Sequence, residues 1–164
     1  MKRMRLAMLA AAVGTVALAQ TTLAAGAPPQ IQMFQTDETA PIASCDGFDL
    51  IRHVVTNIRI ATFFGAGGAP STMQLQFHES NRIFNSVTGK GIDFPGILNI
   101  TVDLSSGTTT VDGTPIRITV PQLGLIISDH GRLVIDANGN VTFEGGAHPF
   151  FYSTNPVDFC ALVA

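Results

Sequence analysis

Four histidines, His53, His78, His130 and His148, are the residues of this chain best suited to ligate a metal or move protons. A zinc site needs three or four N, S or O ligands converging on one point. None of the four stands in H-x-H or H-x-x-x-H spacing, so convergence would rest wholly on the fold, and single hydrogen-bonded or exposed histidines are expected. Acid–base chemistry has one local candidate, Glu79 beside His78, and another in Asp103 with a neighbouring-strand partner. General acids and bases must lie within hydrogen-bond reach of the substrate, and at alternating strand positions such residues read as a solvent face. A Gly-x-Ser-x-Gly elbow is absent, and the Gly65–Gly68 cluster lacks the Lys-Ser/Thr of a phosphate loop. Arg52, Arg59, Arg117 and Arg132 fall in or beside expected strands, where an inward guanidinium would meet an acidic ligand. An outward orientation is expected for them, because a buried guanidinium needs a partner to offset its desolvation. No catalytic or metal-binding residue and no cofactor is assigned from these patterns.

The N-terminus explains where such a chain would work. Met1-Lys2-Arg3-Met4-Arg5 is basic, and Leu6 to Ala19 is apolar and uncharged. This is the pattern of a signal peptide, its apolar run too short for a comfortable membrane span. Ala17-Leu18-Ala19 and Ala25-Gly26-Ala27 both fit the small-residue cleavage rule, and the later site is preferred because Pro28-Pro29 then opens the mature chain. The chain thus divides into a signal peptide over 1–27, a flexible, Pro-punctuated lead-in over 28–44 and a folded domain over 45–164, and the mature protein is expected to be secreted. No second apolar stretch reaches ~20 residues, so no membrane span is expected in the mature chain. Removing Lys2, Arg3 and Arg5 leaves six of nine basic residues against twelve acidic ones, a net charge of about −6. The remaining basic residues are scattered singly, which disfavours nucleic acid and anionic membrane surfaces as partners. The Asn99-Ile100-Thr101 and Asn140-Val141-Thr142 sequons read as chance matches behind a bacterial-looking signal.

Cys45 and Cys160, the only two cysteines, bracket the domain. In an exported chain such a pair is most simply a disulfide. C-x-x-C spacing and a flanking cation, the marks of a reactive pair, are missing.

These residues must be positioned by strands, since the dominant period from Cys45 onward is two. Ile58, Ile60, Thr62 and Phe64 alternate with Arg59, Ala61 and Phe63; Met73, Leu75 and Phe77 with Gln74, Gln76 and His78; Leu98, Ile100, Val102 and Leu104 with Asn99, Thr101 and Asp103. Ile116, Ile118 and Val120, and later Val141 and Phe143, continue the pattern. Each segment has one dry and one wetter face. Turn residues separate them at Gly65–Pro70, Thr88–Gly91, Ser105–Gly107, Asp112-Gly113, Asp129–Gly131 and Ala137–Asn140. The spacing predicts eight or nine strands in an antiparallel meander, all-β, closing into a small barrel of about eight strands. A short C-terminal helix is predicted over Asn155–Val163, with Asn155 as N-cap, Pro156 at its first position and Asp158 in its first turn. Eleven Phe residues could fill such a barrel, and the sequence leaves hollow and filled interiors equally open.

Four motifs carry a family likeness: Cys45-Asp46-Gly47-Phe48-Asp49, Asn85-Ser86-Val87-Thr88-Gly89-Lys90, Ser128-Asp129-His130-Gly131-Arg132 and Asp158-Phe159-Cys160-Ala161-Leu162. Together with the signal sequence, they make nearly the whole mature chain resemble an uncharacterised family of small secreted actinobacterial proteins. The resemblance implies an exported β-barrel and carries over no catalytic residue. A more distant likeness of architecture, to allene oxide cyclase and lipocalin-like barrels, implies no activity.

Three functions fit such a barrel. It would bind a small lipophilic molecule in its interior or mouth, act through its hairpin loops on an extracellular or cell-envelope protein, or catalyse a cyclase- or isomerase-like reaction with polar groups in an apolar cavity. A cavity would separate the first and third functions from the second, and inward His or carboxylate groups would then separate the third from the first.

Overall fold

The computed structural model describes residues 27–120, 124–148 and 158–164. Among these residues seven strands form one antiparallel sheet in simple sequence order: β1 (Gln30–Cys45), β2 (Phe48–Phe64), β3 (Pro70–Asn85), β4 (Gly91–Asp103), β5 (Thr109–Val120), β6 (Gly124–Ile135) and β7 (Val141–Ala147). Among the described residues one helix, of five residues, follows: α1 (Phe159–Val163).

Register turns the alternation into two chemically distinct faces. Ile58 lies opposite Phe77, and Phe77 opposite Leu98; Ile60, Leu75 and Ile100 make the next row. Residues directly opposite share a face, so these rows form an apolar face. The intervening row, Arg59, Gln76 and Asn99, belongs to the other face. Polar pairs knit that second face, including Gln35 Nε2 to Asn57 Oδ1 at 3.1 Å and Arg59 Nη1 to Gln76 Oε1 at 3.2 Å.

The expected barrel is not closed. Among the described residues β1 pairs only with β2 and β7 only with β6, so the sheet keeps two edges. Seven strands replace the expected eight or nine because two of the expected turns lie inside strands. Asp112-Gly113 sits within β5, and Asp129–Gly131 within β6. Gly113, Gly131 and Gly146 stand opposite one another across β5, β6 and β7, with φ of 142°, 139° and 110°. A Cβ on Gly131 would collide with the Gly145 carbonyl oxygen, and one on Gly146 with that of His130. The row is therefore a crease where strands bend and approach closely, the use to which strand glycines are put.

Two further expectations change. Residues 28–44, expected as a lead-in without regular structure, supply nearly all of β1. The C-terminal helix is capped by Asp158, whose carboxylate accepts from Ala161 N–H at 3.1 Å. The expected cap Asn155 and Pro156 lie outside the described residues.

The core gathers at one end of the sheet. Leu50, Ile83, Phe94, Ile118, Ile127 and Val163 form one buried cluster. Its members come from each of the strands β2 to β6 and from α1, which packs against β3 and β4. A disulfide joins Cys45, the last residue of β1, to Cys160 in α1, with Cα atoms 5.7 Å apart. Buried Asn85 completes the plug. Its Nδ2 donates to the Val163 carbonyl at 3.3 Å, and its Oδ1 accepts from Val87 and Thr88 N–H at 2.8 and 3.0 Å. One side chain thereby fixes both the β3–β4 turn and the end of the helix.

Candidate functional site

Adjacent residues of a strand face opposite ways, which separates the expected His78–Glu79 acid–base pair. His78 lies on the polar face, opposite Asn57 and Ile97. Glu79 lies on the apolar face opposite Thr56 and Gly96, where it meets Arg52 and Asn81 instead.

Arg52 departs from the outward orientation expected of it. It stands opposite buried Ile83, on the same face as Leu50. Its Nε and Nη2 donate to Asn81 Oδ1 at 2.9 and 2.6 Å, and Nη2 reaches Glu79 Oε2 at 3.4 Å. Asn81, only 3 % exposed, donates in turn from Nδ2 to Glu79 Oε2 at 3.1 Å. These bonds offset the desolvation that a lone guanidinium would suffer. Gly96 makes room for the carboxylate: a Cβ there would lie 3.2 Å from Glu79 Oε2 and 2.6 Å from the Pro115 carbonyl oxygen. The guanidinium is held along one edge, remains 40 % exposed, and has Nη1 without a partner among the described residues. The cluster marks a boundary. Toward α1 the face is fully buried core; away from it, the rows of Ile58, Phe77 and Leu98 and of Ile60, Leu75 and Ile100 are half-buried and partly open.

A second polar pair lies beyond it. Asp129, fully buried on β6 opposite Ile116, bonds through Oδ1 to His148 Nδ1 at 3.1 Å. His148 Nε2 lies 3.3 Å from the Gly145 carbonyl oxygen. A carbonyl only accepts, so Nε2 carries the proton in that bond. The adjoining cavity, lined by Gly113, Gly131, Leu133 and His148, holds about 10 Å³. That is room for no more than one water.

The other expected residues serve local structure. His53 Nε2 bonds Asp37 on the polar face at 2.8 Å, beside a shallow depression of about 530 Å³ that also involves Ser80, Arg82 and Asp93. His130 Nδ1 meets Ser128 Oγ at 3.1 Å. The four histidines do not converge, and among the described residues no group of three metal-ligating side chains exists. Arg117, opposite Ser128, and Arg132 alternate with the buried residues of β5 and β6. The Arg132 Nε bonds Asp112 Oδ1 at 2.5 Å, which raises the guanidinium pKa. Asp103 fixes the β4–β5 turn, where the Ser105 hydroxyl, then the Ser106 and Ser105 N–H groups, hold its carboxyl below the usual value. Asp136 is lowered in the same way, chiefly by the Asn140 side chain and backbone, in the β6–β7 turn.

Spacing gave no sign of the Arg52–Asn81–Glu79 cluster, because its members stand on two strands. A usable signal existed: Arg52 and Glu79 each occupy the parity of the apolar residues of their own strand. No family model, curated protein or solved structure matches the chain. Among the described residues no helix is long and apolar enough to cross a membrane.

Proposed function

We propose that this is an exported protein that binds a small amphipathic molecule on the apolar face of its sheet. The lipophilic body would lie along the half-buried rows of β2, β3 and β4, and an anionic head would meet Arg52. The observation that carries this reading is the arginine itself: a cation on an apolar face, pinned along one edge by Asn81 and Glu79, with its side chain still 40 % exposed. Few, well-placed polar groups among apolar ones are the usual make-up of a small-molecule site. The Cys45–Cys160 disulfide supports export, since such bonds persist in oxidising compartments.

A fluorescent long-chain carboxylate, titrated into the mature oxidised protein, tests the reading. Saturable binding is expected, displaced by an unlabelled long-chain carboxylate but not by the alcohol of equal length at the same concentration. A hydrogen bond to a charged group contributes about 1.5–3 kcal/mol, so Arg52→Gln should weaken binding by roughly ten- to hundredfold. Equal affinity of the Arg52→Gln protein would remove the anchor from the account, and no binding by the wild type would remove the function.

A further inference from the structure

Strand β1 forms one edge of the sheet. It is sixteen residues long, almost entirely exposed on both faces, and hydrogen-bonded along one side only among the described residues. Natural sheets blunt such edges with charges, proline or bulges. The second half of β1 has all three devices: Asp37, Glu38, Pro41 and a register shift between Pro41 and Ala43. The first half has none. Gln30 to Thr36 is uncharged, free of proline and glycine, and exposes Ile31, Met33 and Phe34 by 51, 77 and 51 %. A seven-residue segment of this composition is a template for strand pairing.

We propose that a second copy of this chain adds to this edge, β1 against β1 in antiparallel register about a two-fold axis at Met33. The occupant follows from self-complementarity. Centred on Met33, the uncharged segment pairs wholly with itself, Gln30 opposite Thr36 and Ile31 opposite Gln35, and each Asp37 falls opposite Pro29, clear of the partner's acidic pair. A shift toward the C-terminus brings those acids toward one another. Two-fold pairing of identical patches is the commonest form of homo-oligomer. The surface covered is on the order of 500 Å² per protomer, below the ~800 Å² per partner of a standard interface. The dimer is accordingly weak and concentration-dependent.

Met33 is mostly solvent-exposed, so charged replacements there leave the fold intact. Sedimentation velocity of the mature oxidised protein, from about 1 to about 200 µM, is expected to show a monomer–dimer equilibrium in the micromolar range or weaker. Met33→Lys and Met33→Glu, each placing like charges opposite each other at the axis, are expected to weaken association at least tenfold. An equimolar mixture of the two is expected to restore it, since opposite charges then meet. A wild type that stays monomeric throughout overturns the proposal. So do single variants that associate like the wild type, or a mixture that behaves like its components.

Discussion

Replacing Gly131 by alanine probes the crease that bends β5, β6 and β7. At φ 139° an L-residue is strained, a cost of about 1–3 kcal/mol. The added Cβ would also collide with the Gly145 carbonyl oxygen and approach Gly146 Cα to 2.9 Å, both backbone atoms that no rotamer change can move. Forcing strands apart in a packed region costs about 1–3 kcal/mol more. The sum, roughly 2–6 kcal/mol, is a large part of the ~5–15 kcal/mol that holds a domain together. Gly47→Ala is the control: its φ is also positive, 82°, but nothing lies within 4 Å of the new Cβ. Only the conformational cost of about 1–2 kcal/mol applies there. With a urea dependence of about 2 kcal/mol per molar, Gly131→Ala is expected to lower the unfolding midpoint by about 1–3 M, and Gly47→Ala by about 0.5–1 M. Equal midpoints for the two variants would refute the close approach of β6 to β7 and, with it, the reading of the glycine row.

Three other outcomes follow from the same structure. Removing the disulfide in a Cys45→Ser/Cys160→Ser double variant frees a loop of sequence separation 115, which the chain-entropy model values at about 4–5 kcal/mol; urea unfolding with and without reductant measures it, and reductant should leave the double variant unchanged. Asn85→Ala strands the Val87 and Thr88 N–H groups and the Val163 carbonyl, with an expected loss of about 2–3 kcal/mol and earlier hydrogen exchange in α1. Hydrogen bonds, from Ser105 and Ser106 to Asp103 and from Asn140 to Asp136, hold both carboxyls below the usual carboxylate value, so the stability they contribute is present above that value and lost as pH falls through their folded ones. Substituting each by Asn should flatten the acid limb of the stability curve and leave its slope near pH 7 unaltered.

Much of the sheet was legible because one face of each inner strand is dry. The periods of Ile58–Phe64, Met73–Phe77 and Leu98–Val102 place those residues in shared rows, as the register shows. β1 escaped for the opposite reason: with both faces exposed it has no apolar alternation, and Pro28, Pro29 and Pro41 make its sequence read as a tail. In β7 the dry face is also missing, since Val141 and Phe143 are each about half exposed. The miscounted strands arose because Gly113 and Gly131 serve bends inside strands, and a glycine with positive φ looks the same in sequence whether the chain reverses or creases. The expected closure rests on one-sided strands with short connections and no helix long enough to cover them, and none of these features fixes which edges meet. Whether a sheet closes depends on β1 meeting β7 across the whole fold, which no local period encodes. The candidate site was half legible: the parity of Arg52 and Glu79 was visible, but their meeting through Asn81 required the β2–β3 register.

Native mass spectrometry of the protein, purified gently from its own producing cells, tests the central claim most directly. A reproducible added mass is expected, released on denaturation, identified as an amphipathic molecule with an acidic head, and depleted in the Arg52→Gln protein. A bare polypeptide mass for the wild type would contradict a ligand-binding function for this sheet, and an added mass equally retained by Arg52→Gln would contradict the anchor.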